Sequence, residues 1–118
     1  MPIVDVTVIG EAPASANLAA DLARSIGQAL DADEGSVWIT LHRHPAGDYA
    51  ENGQPPEPLP VFVRVLAGGN DSPERAALAA RVADAVTALL RRPAERVHVI
   101  LEPDADGRVY FGGRAGGS

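Results

Sequence analysis

Apolar and polar residues alternate in the opening segment PIVDVTVI, where Val4, Val6 and Val8 share one face and Asp5 and Thr7 the other. A period of two over such a run predicts a half-buried strand. The alternation returns in PVFVRVL, with Val61, Val63 and Val65 on one face and Phe62 and Arg64 on the other. Each valine of the second set stands 57 positions after its counterpart in the first.

A helical period follows each strand. Leu18, Leu22, Ile26 and Leu30 lie four apart on one stripe, and Leu78, Val82, Val86 and Leu90 repeat that stripe 60 positions later. The second helix carries a start signal in NDSPE: Asp71 or Ser72 as cap, Pro73 in the first turn, Glu74 reaching back. The offset of 60 also relates SVWITLHRHPAGDYAENG to RVHVILEPDADGRVYFGG, pairing Val37 with Val97, Leu41 with Leu101, Gly47 with Gly107 and Gly53 with Gly113. Self-similarity at a fixed offset marks a doubled unit.

Each half therefore reads as a strand–helix–strand unit with parallel strands and a right-handed crossover. The repeats span about 2–53 and 59–113 of one domain, residues 1–118, and the proline-dense ENGQPPEPLP joins them. Side by side they predict an α/β (α+β) fold, a four-stranded mixed sheet with both helices on one face. The valines face the helices. Asp5, Thr7, Phe62 and Arg64 face away on a surface that nothing in the chain covers, which predicts an oligomer.

Composition narrows the function. The chain has 118 residues, a net charge of −6, no cysteine, and arginine at all ten basic positions. Thiolate chemistry, disulfides and cysteine–zinc sites are excluded. An acidic chain without a basic cluster lacks the phosphate contacts that nucleic-acid binding requires. No apolar run approaches the ~20 residues of a membrane span, and the start shows no basic-then-apolar leader. A cytoplasmic protein is expected, with RAGGS as a frayed tail.

Pro2 carries the chemistry question. Proline is tolerated at a strand's first residue; equally, methionine is normally trimmed before a small second residue, which leaves Pro2 as a free secondary amine. A strand opening on Pro2, the doubled unit of about 60 residues and the GG exit at Gly112-Gly113 together resemble the tautomerase superfamily. VRVLAGGNDSPE through RVHVILEPDADGRVYFGG looks like the single-repeat 4-oxalocrotonate tautomerases. The joined layout with HPAG at His44 to Gly47 is nearer the cis-3-chloroacrylic acid dehalogenase and malonate semialdehyde decarboxylase groups, and macrophage migration inhibitory factor shares the architecture. The resemblance implies a homotrimeric barrel of sheets and a site around the amino-terminal proline, completed by a neighbouring subunit.

An α-amino group has a reference pKa of about 7.7–8.0, and burial lowers it. A neutral Pro2 nitrogen can take a proton from the carbon beside a carbonyl and return it elsewhere. The enolate so formed needs donors near its oxygen. Where family members carry arginines, this chain has Trp38 and His98, and AGGND lacks the arginine pair of the dehalogenase and decarboxylase groups; the dehalogenases' glutamate aligns near Tyr110. The resemblance thus implies substrate contacts from His98, Trp38, the Ala67 backbone, Tyr49 and Tyr110. His98 and Trp38 read also as interface residues, Gly68-Gly69 as a plain turn, and Phe111 as packing. Arg64 offsets Asp5 or binds a carboxylate; Arg91 and Arg92 close a helix, where cations suit its dipole. His42 and His44 lack a third ligand, so neither metal nor cofactor is expected.

The leading expectation is an isomerase catalysing keto–enol tautomerisation of a small 2-oxo acid or related carbonyl compound, with Pro2 as base and then acid. Two others stay open: a catalytically idle trimeric scaffold, since fold does not establish function, and an iminium-forming catalyst using Pro2 as nucleophile. Dehalogenation and decarboxylation are disfavoured by the absent arginines.

Overall fold

The computed structural model describes residues 2–115; Met1, on whose removal a free Pro2 amine depends, and residues 116–118 of the tail lie outside the described residues. In chain order the elements are β1 (Ile3–Ile9), α1 (Leu18–Ala29), β2 (Trp38–His44), β3 (Val61–Leu66), α2 (Arg75–Leu90), β4 (Val97–Leu101), β5 (Tyr110–Phe111) and β6 (Arg114–Ala115). The four long strands form one mixed sheet in the order β2-β1-β3-β4. β1 runs parallel to β2 and β3 parallel to β4, as two β-α-β units require, while β1 and β3 meet antiparallel at the centre. Val4 faces Val65, Val6 faces Val63 and Val8 faces Val61. The matched valines therefore pair in reverse order, which places a pseudo-twofold axis near Val6 and Val63.

Those six valines are fully buried, together with Leu22 and Ile26 of α1 and Val82 and Val86 of α2. Each such side chain contributes about 1.5–3 kcal/mol by leaving water. Both helices thus cover one face of the sheet. On the other face, Ile3, Asp5, Thr7 and Phe62 are only half-buried and Arg64 is exposed.

Local details depart from the expected pattern. α2 begins at Arg75 behind Glu74 and has no side-chain cap. Asp71 does not cap the helix; its carboxylate accepts the Asp104 N–H at 3.3 Å, while the Ser72 carbonyl receives Arg75 N–H at 3.1 Å. Pro73 lies in the preceding turn, so the start of the helix is set by tertiary bonds to the loop after β4. Arg91 ends α2 in the left-handed conformation, φ 56°. Arg92 does not serve the helix dipole. Its guanidinium donates to the carbonyls of Leu59, Pro60, Ile9 and Glu11, pinning the proline segment that joins the two repeats to the end of β1. Part of the expected frayed tail is ordered: Arg114–Ala115 pairs antiparallel with Tyr110–Phe111.

Candidate active site

The strand directions bring four chain ends to one edge of the sheet: the starts of β1 and β2 and the ends of β3 and β4. Pro2 sits there, one residue before the Ile3–Leu66 pair and hence opposite Ala67. It is buried, and its carbonyl accepts the Trp38 N–H at 3.0 Å. Beside it opens a cleft of about 560 Å³. Three segments form the walls: the turn Ala67–Gly69, the link from α1 to β2 at Asp31, Ala32, Asp33 and Ser36, and the loop after β4 through Asp104 and Asp106.

That loop is firmly attached. Glu102 N–H donates to Val65 O at 2.9 Å and Ala105 N–H to Ala67 O at 3.1 Å, so the chain follows β3 past the end of the sheet. The Asp104 carboxylate accepts the N–H of Gly69 at 2.9 Å and of Asp106 at 3.0 Å. These donors, Asp106 first and Gly69 second, hold Asp104 below the usual aspartate range and so ionised. Asn70, 2% exposed, donates to Val65 O and Glu102 O from its amide nitrogen. The turn beside Pro2 is thereby built as a rigid wall.

The expected site residues divide among three places. Pro2 and Ala67 meet in the cleft. Trp38 touches Pro2 through its backbone; its indole, 49% exposed, lies edge-on to Phe111 at 5.2 Å. Tyr110, 57% exposed, follows on the same hairpin and donates to Gly107 O at 3.2 Å. His98 and Tyr49 lie elsewhere. Both rings contact Phe62 on the open face, at 5.4 and 5.9 Å between centroids. Phe62 is five residues along β3 from Ala67, which is on the order of 16 Å at ~3.3 Å per residue. Within one chain, His98 and Tyr49 are therefore remote from Pro2.

Sequence reasoning overlooked two features. The tripeptide Asp-Ala-Asp occurs twice, at residues 31–33 and 104–106, and the aspartates of both copies line the cleft. Among the described residues that line it, none is Arg, Lys or His. The repeated tripeptide was a visible signal, but it lies outside the 60-residue register and so escaped the repeat comparison. The second feature is Glu51, whose carboxylate receives the Tyr49 hydroxyl and the Arg96 guanidinium. Those two bonds, Tyr49's the larger, hold Glu51 below the ordinary glutamate value, and Glu51 pushes the Tyr49 phenol above its own. No short-range pattern marks a contact between positions 51 and 96.

Two pairings also differ from expectation. Arg64 faces Asp5 across the strands, yet its guanidinium pairs with Glu102 at 3.3 Å, and Asp5 lies 3.5 Å from His42 instead. Glu102, the residue that follows the adjacent strand β4, is better placed for the long arginine than the short aspartate opposite it. Among the described residues, no three His, Asp or Glu side chains converge as a metal ion would need, and no helix is long and apolar enough to cross a membrane.

No protein-family model and no curated protein sequence matches the chain. Solved structures do. A fused 4-OT wild-type symmetric trimer matches over 92% of this chain and 90% of its own, at 23% identity and a TM-score of 0.74. Pt0534, in a form inactivated by 2-oxo-3-pentynoate, matches over 96% and 95% at 25% identity and a TM-score of 0.75. The macrophage migration inhibitory factor of Trichinella spiralis matches over 97% and 99% at 15% identity and a TM-score of 0.70. The fold is that of these proteins.

Proposed function

We propose that the chain is a tautomerase-superfamily isomerase that moves a proton between the keto and enol forms of a small carbonyl compound, a 2-oxo acid or a relative of one. Pro2, freed by loss of Met1, is the base and then the acid. The observation that carries this reading is the position of Pro2: buried at the head of a central strand, with its backbone fixed to β2, and opening on a cleft of about 560 Å³. A ring nitrogen so placed has no side-chain rotamer to freeze. It can take the proton from the carbon beside the carbonyl and deliver it to the far end of the enolate.

The half-buried open sheet face, and the trimeric assembly of a fused 4-OT neighbour, support a homotrimer. In it, a second subunit would bring His98 and Tyr49 toward the Pro2 cleft as hydrogen-bond donors to the enolate oxygen. The finer assignment to the cis-3-chloroacrylic acid dehalogenase and malonate semialdehyde decarboxylase groups draws no support from the cleft, which lacks the arginines those chemistries use. The same lack favours one second reading, a trimeric scaffold without catalysis.

Intact-mass measurement of the purified protein establishes whether Met1 is gone. Ketonisation of phenylenolpyruvate and of its methyl ester, followed for wild type and Pro2→Ala, then tests the base. Loss of either activity in the variant supports the proposal. Equal rates in the two proteins, or a mature chain that keeps Met1, overturn it, and an inactive trimer returns the scaffold.

A further inference from the structure

We propose that the Pro2 cleft selects carbonyl compounds without a carboxylate, because its rim of aspartates repels anions and admits neutral or ammonium-bearing molecules. This rests on the reading of Pro2 as the reacting amine and narrows its substrate class.

The charge arrangement is specific. Asp31 and Asp33 approach from the α1–β2 link and Asp104 and Asp106 from the loop after β4, so negative charge stands on two walls of one recess. Asp104 is tied to the backbone of Gly69 and Asp106 and cannot swing away without breaking both bonds. Arg108 stands close enough to Asp104 to favour its ionised form, but it does not line the cleft. Arg64 and Arg108 line a hollow on the open sheet face with Asp5 and Glu102, and Arg64 is already paired with Glu102.

A 2-oxo acid carries its carboxylate on the carbon that bears the reacting carbonyl, so the anion must enter the cleft with it. Removing the proton then adds a second negative charge there. A ketone, aldehyde or ester carries no charge on entry and develops only one. Like charges a few ångströms apart near water cost enough to change a rate several-fold for each pair, and salt weakens the effect.

Covalent labelling of Pro2 reads this field without depending on turnover. 2-Oxo-3-pentynoate and 3-pentyn-2-one share an alkyne conjugated to a carbonyl and differ by a carboxylate against a methyl group. In each, the proline nitrogen forms a bond to the methyl-bearing alkyne carbon. The displaced π pair moves to the carbon beside the carbonyl, which takes up the proton the amine gives to solvent, and nothing leaves. The protonation state of Pro2 affects both reagents alike and cancels in their ratio. Prolinamide supplies the intrinsic ratio.

Labelling rates are measured by intact mass on the mature trimer. The protein is expected to favour the ketone over the acid by about tenfold more than prolinamide does, since several charges act together. The double variant Asp33→Asn, Asp106→Asn removes two of the four charges and should lower that preference by about threefold in all. In wild type, which needs no variant to fold, 0.5 M salt should lower it as well. A preference at or below that of prolinamide, as cations brought by a second chain would produce, overturns the inference; so does a preference that neither salt nor the variant moves. Label on Pro2 with the expected preference but no ketonisation of either enol overturns the catalytic reading and leaves the charge filter standing. Absence of label on Pro2 with both reagents overturns the two together.

Discussion

The Trp38 N–H donates to the Pro2 carbonyl at 3.0 Å, so the residue that opens the chain's central strand is fixed by the first residue of the edge strand. The bond uses the carbonyl of residue 2 and makes no demand on its nitrogen. It also explains how a proline can hold this place without weakening the sheet: β1 needs no N–H from it there.

Pro2→Ala should consequently keep the fold and lose the chemistry. Alanine retains the carbonyl that receives Trp38, and the lost ring contacts amount to about 1 kcal/mol, a typical single-substitution effect. Ketonisation should fall by about 10²-fold or more, the usual contribution of a positioned acid–base group. Thermal unfolding monitored by the fluorescence of Trp38, the chain's single tryptophan, measures the first, and enol decay the second.

Arg92 should matter more to stability than any other arginine. Its guanidinium reaches four carbonyls drawn from the end of β1 and the segment before β3. Burial lowers its pKa, though the group stays charged. Arg92→Ala leaves partly buried acceptors unpaired and should cost about 2–4 kcal/mol. Arg92→Lys should recover only part of that, because an ammonium cannot fork across several acceptors. Urea unfolding at fixed pH compares the three proteins.

Gly10 turns the chain out of β1 with φ +78°, and a Cβ there would stand 2.6 Å from Leu59 Cδ1. Gly10→Ala meets both penalties, left-handed strain and a leucine that must move, and should destabilise by about 1–2 kcal/mol. Trimming the obstacle in the double variant Gly10→Ala, Leu59→Ala should remove the steric part. Non-additivity between the two single variants in denaturant unfolding is the readout.

The fold was legible because it is written in periodic apolar spacing, which depends on local geometry. Val4, Val6 and Val8 recur as Val61, Val63 and Val65, and the helical stripes recur with them, so strand direction and helix side followed. What escaped was decided by contacts distant in sequence. Asp71 looks like a cap until the loop after β4 brings the Asp104 amide to it. Arg92 looks like a helix terminus until the proline segment folds back beneath it. Of the expected site residues, Pro2 was singled out by its place at the head of a strand and Ala67 through the resemblance, and the antiparallel pairing of β1 with β3 sets the two opposite each other. His98 and Tyr49 were named together only through a resemblance, and they do lie together, on Phe62, but at the far end of the sheet from Pro2.

Asp104 should make the cleft wall sensitive to acid. The amides of Asp106 and Gly69 lower its folded pKa relative to the unfolded chain. A depressed carboxylate contributes stability that is fully present above its unfolded value, about 3.9, and is lost as pH falls through the folded one. Asp104→Asn should therefore lower Tm relative to wild type at pH 6–8, and the difference should shrink below about pH 4. Amide hydrogen exchange at Gly69 and Asp106 should quicken in the variant at neutral pH. Protection equal to wild type at both amides would mean that the wall does not depend on this carboxylate.

Tyr49 and Glu51 offer a test of the open sheet face. The Tyr49 hydroxyl donates to Glu51, a bond that ionising the phenol would break; for that reason, with burial second and the charge of Glu51 third, Tyr49 titrates above its ordinary value, and Arg96 opposes the shift but does not cancel it. Glu51→Gln removes the opposing charge while keeping an acceptor. The Tyr49 titration should then move down, with Arg96 left to favour the phenolate. Absorbance near 295 nm follows it, with the Tyr110→Phe background removing the chain's one other tyrosine. An unmoved or rising Tyr49 titration would show that Glu51 does not govern this hydroxyl. The same measurement on dilute and concentrated protein has a further use: if a second subunit covers this face, association should raise the Tyr49 titration further, since burial disfavours the phenolate.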